Sequence, residues 1–178
     1  MINGVMTGAI YALVALGLTL IYGVLHIINF AHGTLLMLAM YGVFFLNRVA
    51  GIDPYLAMPI VMIGAFLFGY GLQRFVIGQT SHGRDEIILL VTLGISIVIE
   101  NLVLFFLTAS ERSVRVPYEL AGIELGVTFL VVTQMAAFGA ALLITAALWL
   151  FMSHSDTGRA IRAVAKERQG ARLVGINV

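Results

Sequence analysis

The sequence predicts an all-α, polytopic membrane protein with about five transmembrane helices and a C-terminal cytoplasmic amphipathic helix. Hydrophobic residues make up 61% of the chain, charged residues only 11%, and the mean hydropathy is +1.04. Soluble domains, by contrast, hold about a quarter charged residues. The apolar residues also fall into long blocks, and a helix needs about 20 of them to cross a bilayer at 1.5 Å per residue.

Five apolar blocks predict the membrane spans. They cover residues 4–28, 34–47, 55–77, 87–109 and 126–152. Polar connectors with the Gly, Asp and Pro of turns separate several of them. Residues 1–152 are therefore predicted to form a transmembrane helical domain, and the charged stretch 153–178 a cytoplasmic coupling segment. The second block is short for a full crossing, so it either begins inside the membrane or takes residues from the polar break before it.

That polar break contains Asn29, His32 and Gly33. Backbone that leaves a helix at membrane depth must be buried in protein or line a cavity, because its N–H and C=O groups need partners. Half-helix ends there would offer oriented dipoles to a zwitterionic substrate, which makes these three residues candidates for a substrate path. The alternative is an interfacial turn in which Asn29 or Thr34 caps the next helix. The sequence leaves both interpretations open.

A polar stripe on the fourth block is the second candidate for the path. Thr92, Ser96 and Glu100 are spaced i, i+4, i+8 and share one helix face, which Asn101 widens. An ionised carboxylate near the bilayer centre costs about 2.5–3.5 kcal/mol even on lenient scales. Such a face should therefore contact protein or water. It forms either a wall of a translocation path or a contact in which a protonated or hydrogen-bonded Glu100 holds two helices together.

Lysine and arginine counts predict the orientation. The basic residues of the tail, among them Arg159 and Arg162, place it in the cytoplasm. With five crossings the connector 78–86 is also cytoplasmic, and the connector 111–124 and the N-terminus lie outside. If the first two blocks form one broken unit, the N-terminus moves inside. The tail itself has helical spacing of apolar and basic residues, typical of a helix on anionic lipid or of a docking helix for a cytoplasmic partner.

Several function classes are excluded by composition. Without cysteine the chain offers no thiol chemistry, and His26 and His32 do not share a helix face, so no metal site is expected. No nucleophile–base pair, phosphate loop or paired carboxylate stands out, so we expect no enzyme activity. The net charge of +1 is carried mostly by loops and ends, which gives no surface for nucleic acid.

Three stretches resemble the permease subunits of ABC importers for branched-chain amino acids. They are GAIYALVALGLTLIYGVLHIINFAHGTLLMLAMY (residues 8–41), TLGISIVIENL (92–102) and TGRAIRAVAKERQGARLVGINV (157–178). The resemblance implies a multi-pass protein of the bacterial inner membrane. It also implies three kinds of partner: a second permease subunit, cytoplasmic ATPase subunits that bind the ATP, and a periplasmic binding protein for leucine, isoleucine or valine. The chain would itself hold no cofactor.

The resemblance also implies where the ATPase docks. In such permeases a cytoplasmic Glu-Ala-Ala-xxx-Gly region makes this contact, and its positions here are Gln169, Gly170, Ala171 and Gly175. Only Ala171 and Gly175 keep the pattern. Arg159 and Arg162, in the same stretch, complete the predicted coupling residues.

Family members continue past Gly-Ile-Asn-Val with further membrane segments, so the resemblance implies that this chain is a fragment or a truncated product. Two other functions therefore stay open. One is a membrane scaffold or assembly subunit without a transport path, and the other is an ATPase-independent carrier for a small polar solute such as urea or an amide. The residues do not distinguish leucine, isoleucine and valine from other apolar amino acids.

Overall fold

A computed structural model of the chain describes residues 2–25, 28–80, 85–108, 110, 112–114, 116, 122–125, 128–167 and 170–171. The elements are α1 Ile2–Leu25, α2 His32–Ala50, α3 Pro54–Leu72, a π-helical turn Gln73–Ile77, α4 Gly78–Thr80, α5 Asp85–Leu107, β1 Gly122–Leu125, β2 Thr128–Val131, α6 Val132–His154 and α7 Asp156–Lys166.

Five helices in the described part of the chain are long and apolar enough to cross a membrane: α1, α2, α3 with its extension to Ile77, α5 and α6. Large apolar side chains such as Tyr11, Met62 and Phe105 are exposed on them. In water such a surface would be costly, whereas lipid tails are as apolar as the side chains themselves. The predicted polytopic, all-α class with about five membrane helices is confirmed.

The first of two structural units consists of Met1–His26 and Pro117–Val178. Within it α1 packs along α6, and α7 contacts both of these helices. The strands β1 and β2 form an antiparallel hairpin in which Gly122 lies opposite Val131 and Leu125 opposite Thr128. The hairpin leads directly into α6.

A tight corner joins α6 to α7. The Ser155 hydroxyl oxygen caps α7 by accepting a hydrogen bond from the Gly158 N–H at 2.9 Å. A Cβ at position 158 would lie 2.5 Å from the Met152 carbonyl oxygen and 2.6 Å from that of Phe151. Only glycine therefore fits, and this close approach lets α7 fold back against the membrane helices.

The second unit is Ile27–Val116, in which α2 packs against α3 on one side and α5 on the other. In the connection between α2 and α3, one residue ends the first helix and another caps the start of the second. Gly51 adopts a left-handed conformation (φ 64°) at the end of α2. Asp53 then caps α3 by accepting from the Tyr55 N–H at 2.9 Å, and Pro54 occupies the first turn.

The predicted spans match the observed helices only approximately, and the second and fifth differ in ways that bear on the fold. The second span begins at His32 and ends at Ala50, so it takes residues from the polar break. Its 19 residues extend about 28 Å, enough for a crossing by itself. The fifth span begins at Val132 instead of residue 126, because Thr128–Val131 pairs as a strand. This stretch is apolar and partly β-branched, a composition that suits a strand as well as a helix.

Candidate functional site

The polar stripe of α5 faces α2. Thr92 and Ser96 are buried, with 1% and 7% of their surface exposed, although the helix around them is almost entirely apolar. Glu100 continues the same face one turn further and is exposed. The spacing i, i+4, i+8 thus places all three side chains along one contact, as the sequence predicted.

Three oxygen atoms from two helices meet at the centre of this contact. The Thr34 hydroxyl lies 2.5 Å from the Ser96 hydroxyl, and either can donate. Thr34 also donates to Glu100 Oε1 at 3.1 Å, and Ser96 donates to the same oxygen at 3.0 Å. We call Thr34, Ser96 and Glu100 the hydroxyl–carboxylate cluster. It attaches the first turns of α2 to the middle of α5.

The polar break before α2 is held by its own side chain and by Thr92. Asn29 Oδ1 accepts from the Ala31 N–H at 2.9 Å, which is a turn stabilised by an Asn side chain. The Phe30 N–H donates to the Thr92 hydroxyl at 3.3 Å, and that hydroxyl donates to the Leu89 carbonyl at 3.1 Å. The non-helical backbone therefore finds partners within this unit, as membrane burial demands.

The remaining path candidates lie beside this network. His32 and Gly33 form the first turn of α2, where the His32 N–H donates to the Asn29 carbonyl at 3.2 Å. Asn101 is exposed and its Nδ2 donates back to the Ile97 carbonyl of its own helix at 2.8 Å. A transport role for all seven candidates stays a prediction.

Sequence reasoning missed the position of Thr34. We considered it only as a helix cap, but α2 begins after Ala31 without a side-chain cap, and the Thr34 hydroxyl points to α5 instead. The available signal was chemical: Thr34 is the only serine or threonine between Asn29 and Ala50. It is therefore the natural partner for a polar stripe on a neighbouring helix.

A groove between α2 and α5 continues from the cluster toward the C-terminal ends of both helices. Its volume is about 510 Å³, and Glu100 lies in its wall. Most of its other lining residues are apolar: Met37, Met40, Tyr41, Phe44, Val103 and Leu104. The polar residues Thr108, Ser110 and Arg112 line its far end. Such a groove suits an elongated solute with one apolar side. Among the described residues, no group of three or more His, Cys, Asp or Glu side chains could hold a metal ion.

The predicted coupling residues lie in the other unit. Arg159 and Arg162 are exposed on α7, and Arg159 pairs with Asp156. Ala171 is only 3% exposed and Gly170 is half-buried. Gln169 and Gly175 lie outside the described residues. The coupling role stays a prediction.

The fold and this geometry define a multi-pass helical membrane protein with a polar cluster inside its helix packing. The sequence comparison is more specific. The family described as branched-chain amino acid transport system, permease component, matches residues 1–178, and the chain belongs to this family. It is a multi-pass protein of the inner (plasma) membrane.

Three curated relatives show the extent of the likeness. The chain is 32% identical to the high-affinity branched-chain amino acid transport system permease protein BraD of Pseudomonas aeruginosa, over 99% of this chain and 62% of the relative. It is equally identical to LivH of Escherichia coli, over 99% and 61%. It is 25% identical to a probable LivH of Methanocaldococcus jannaschii, over 93% and 54%. The chain thus spans about three fifths of the relatives' length or less, and no solved structure matches it.

Proposed function

We propose that the chain is a transmembrane permease subunit of an ATP-driven importer for branched-chain or other apolar amino acids. It forms part of the translocation path with a second permease subunit. Cytoplasmic ATPase subunits bind the ATP and dock on the segment that contains Arg159 and Arg162, and a periplasmic binding protein delivers the substrate. The names of the relatives and the family support this assignment.

The observation that carries the transport role is the hydroxyl–carboxylate cluster. Its three oxygens make three mutual contacts of 2.5 to 3.1 Å, yet the two hydroxyls supply only two protons. The hydroxyls of the cluster are therefore short of donors for these contacts. Among the described residues, none is recorded as donating to Glu100 Oε2. A substrate ammonium brings three N–H donors and a positive charge, the complement that this cluster lacks.

The apolar wall of the groove supports an aliphatic side chain on that substrate. Met37, Met40 and Leu104 line it beside Glu100, and methionine adapts to side chains of different shape. In the proposed cycle, ATP binding moves the docked segment, and the membrane helices alternate in their access to the Asn29 and Glu100 region. This is alternating access between two conformations that ATP and substrate favour differently.

The direct test is the substitution Glu100→Gln in the transporter assembled with its partner subunits. Glutamine keeps the size and accepts hydrogen bonds but has no charge. We expect radiolabelled leucine uptake to fall about tenfold or more, because charge-assisted hydrogen bonds contribute about 1.5–3 kcal/mol. Glu86→Gln is the matched control, since Glu86 is exposed at the start of α5 and outside the cluster. Its uptake should equal that of the unmodified protein.

Other outcomes discriminate the alternatives. Normal uptake with Glu100→Gln would reduce the cluster to a contact that holds α2 on α5. No leucine uptake by the unmodified assembly, together with uptake of urea or an amide without ATP, would identify a carrier for small polar solutes. Assembly with the partners without uptake of any of these solutes would identify a scaffold.

A further inference from the structure

A second charged site lies at the far end of the groove, where α2 and α5 end. Phe44 is buried there between two arginines. The Arg48 Cζ atom lies 5.9 Å from the centre of the Phe44 ring, and the Arg112 Cζ atom lies 5.6 Å from it. Both distances are within the range of cation–π attraction. The Phe44 ring thus attracts both guanidinium groups.

The charge of this pair is not neutralised within the described residues. None of them forms a salt bridge with Arg48 or Arg112. Arg112 donates one Nη2–H to the Leu107 carbonyl at the end of α5, at 2.7 Å. The same carbonyl also accepts from the Thr108 hydroxyl at 2.5 Å. A guanidinium has five N–H donors, so the bond from Arg112 uses one of ten in the pair.

The surroundings of the pair suit a small anion. A cavity of about 460 Å³ lies beside it, lined by Phe44, Arg48, Ser110, Arg112 and Ser113. Guanidinium forks match the two oxygens of a carboxylate, and the serines can add hydroxyl donors. Phe44 and Arg112 also line the groove that reaches Glu100, so the arginine pair and the hydroxyl–carboxylate cluster lie along one path.

We propose that Arg48 and Arg112, supported by Ser110 and Ser113, form a binding site for the α-carboxylate of the transported amino acid. This inference rests on the proposed function. The site lies at the end of the groove that the charge pattern predicts to be outside. It receives the substrate first, by its carboxylate, and the hydroxyl–carboxylate cluster then receives the ammonium.

The two sites lie apart along the groove. Thr34 and Phe44 are ten residues apart on α2, which corresponds to about 15 Å along the helix. The ammonium and carboxylate of an α-amino acid are attached to the same carbon atom. In the proposed sequence of events the substrate moves along the apolar wall from the arginine pair to the hydroxyl–carboxylate cluster.

The test is equilibrium binding of leucine and leucinol to the assembled permease complex, without binding protein, in phosphatidylcholine nanodiscs. Leucinol keeps the ammonium and the side chain but lacks the carboxylate. We expect the unmodified complex to prefer leucine by about tenfold or more. The double variant Arg48→Gln/Arg112→Gln should lose this preference. Arg48→Lys/Arg112→Lys, which keeps the charge without the fork, should retain part of it and guards against misfolding.

The matched control is Arg74→Gln, which removes an exposed arginine from the π-helical turn and should leave the preference intact. An unchanged preference in the glutamine double variant would overturn the carboxylate site. Native mass spectrometry gives a second decisive result. The unmodified complex could retain an anionic lipid that the glutamine double variant has lost. If the preference for leucine is then unchanged in the double variant, the arginines bind a lipid phosphate and not the substrate. If the unmodified transporter still takes up leucine, only the carboxylate site is wrong. If it takes up no leucine, the proposed function itself is wrong.

Discussion

Helix α2 contacts α3 with one face and α5 with the other, and the two contacts differ in chemistry. The α2–α3 side holds a cavity of about 340 Å³ lined by apolar residues and glycine: Leu35, Leu38, Ala39, Gly42, Leu46, Ile60, Val61, Gly64, Ala65 and Phe68. The α2–α5 side holds the hydroxyl–carboxylate cluster and the Phe30–Thr92 hydrogen bond.

The two contacts of α2 therefore have different roles in the fold. Lipid tails are as apolar as leucine, so an apolar helix contact in a membrane has no hydrophobic driving force and depends on van der Waals packing. Such packing joins no particular pair of polar atoms. The hydrogen bonds of the α2–α5 contact join particular atoms, and they fix the rotation and register of α2 on α5. We therefore expect substitutions on the α5 side to change transport, and those on the α3 side to change stability only slightly.

Of the substitutions that compare the two faces of α2, Thr34→Val is expected to have the largest effect. Thr34→Val keeps the shape but removes the hydroxyl that contacts both Ser96 and Glu100. Leucine uptake by the assembled transporter should fall about tenfold, because Thr34 no longer holds the Glu100 carboxylate in position or fixes α2 on α5. Thr34→Ser keeps the hydroxyl and should retain most of the uptake. Equal loss in both variants would attribute the effect to packing of the methyl group instead.

Thr92 should have a smaller effect, and on stability first. Thr92→Val leaves the Phe30 N–H without its recorded acceptor. We expect a loss of about 1–2 kcal/mol in the free energy of unfolding, at the upper end of hydrogen bonds measured in membrane proteins. Unfolding by sodium dodecyl sulfate in mixed micelles measures this change. Thr92→Ser should restore the stability, and a stable valine variant would show that the break needs no acceptor from α5.

These two residues also show what the sequence could predict. The spacing of Thr92, Ser96 and Glu100 gave their common face, because helix geometry alone determines it. Their partner could not be predicted in the same way. Thr34 lies 62 residues from Ser96 in the chain, and only the packing of α2 on α5 brings the two together.

Contacts between residues far apart in the sequence also explain why other features could not be predicted. Arg48 and Arg112 lie at the ends of different helices, and only the folded structure places them around Phe44. The five membrane helices could be predicted because each depends on the apolar content of its own segment. The hairpin before α6 could not, since Thr128–Val131 continues the apolar run of the helix without interruption.

The smallest effect is expected on the α3 side, where glycine offers a matched pair. A Cβ at Gly42 would lie 3.3 Å from both γ carbons of Val61, whereas one at Gly64 meets nothing within 4 Å. Alanine gains up to about 1 kcal/mol over glycine in a helix interior. Gly64→Ala should keep this gain, but in Gly42→Ala the stiff, β-branched Val61 must yield, which offsets it. We expect the free energy of unfolding of Gly64→Ala to exceed that of Gly42→Ala by roughly 1 kcal/mol. Leucine uptake should be normal in both variants. Loss of uptake in either variant would mean that the apolar contact, too, determines the position of α2 for transport.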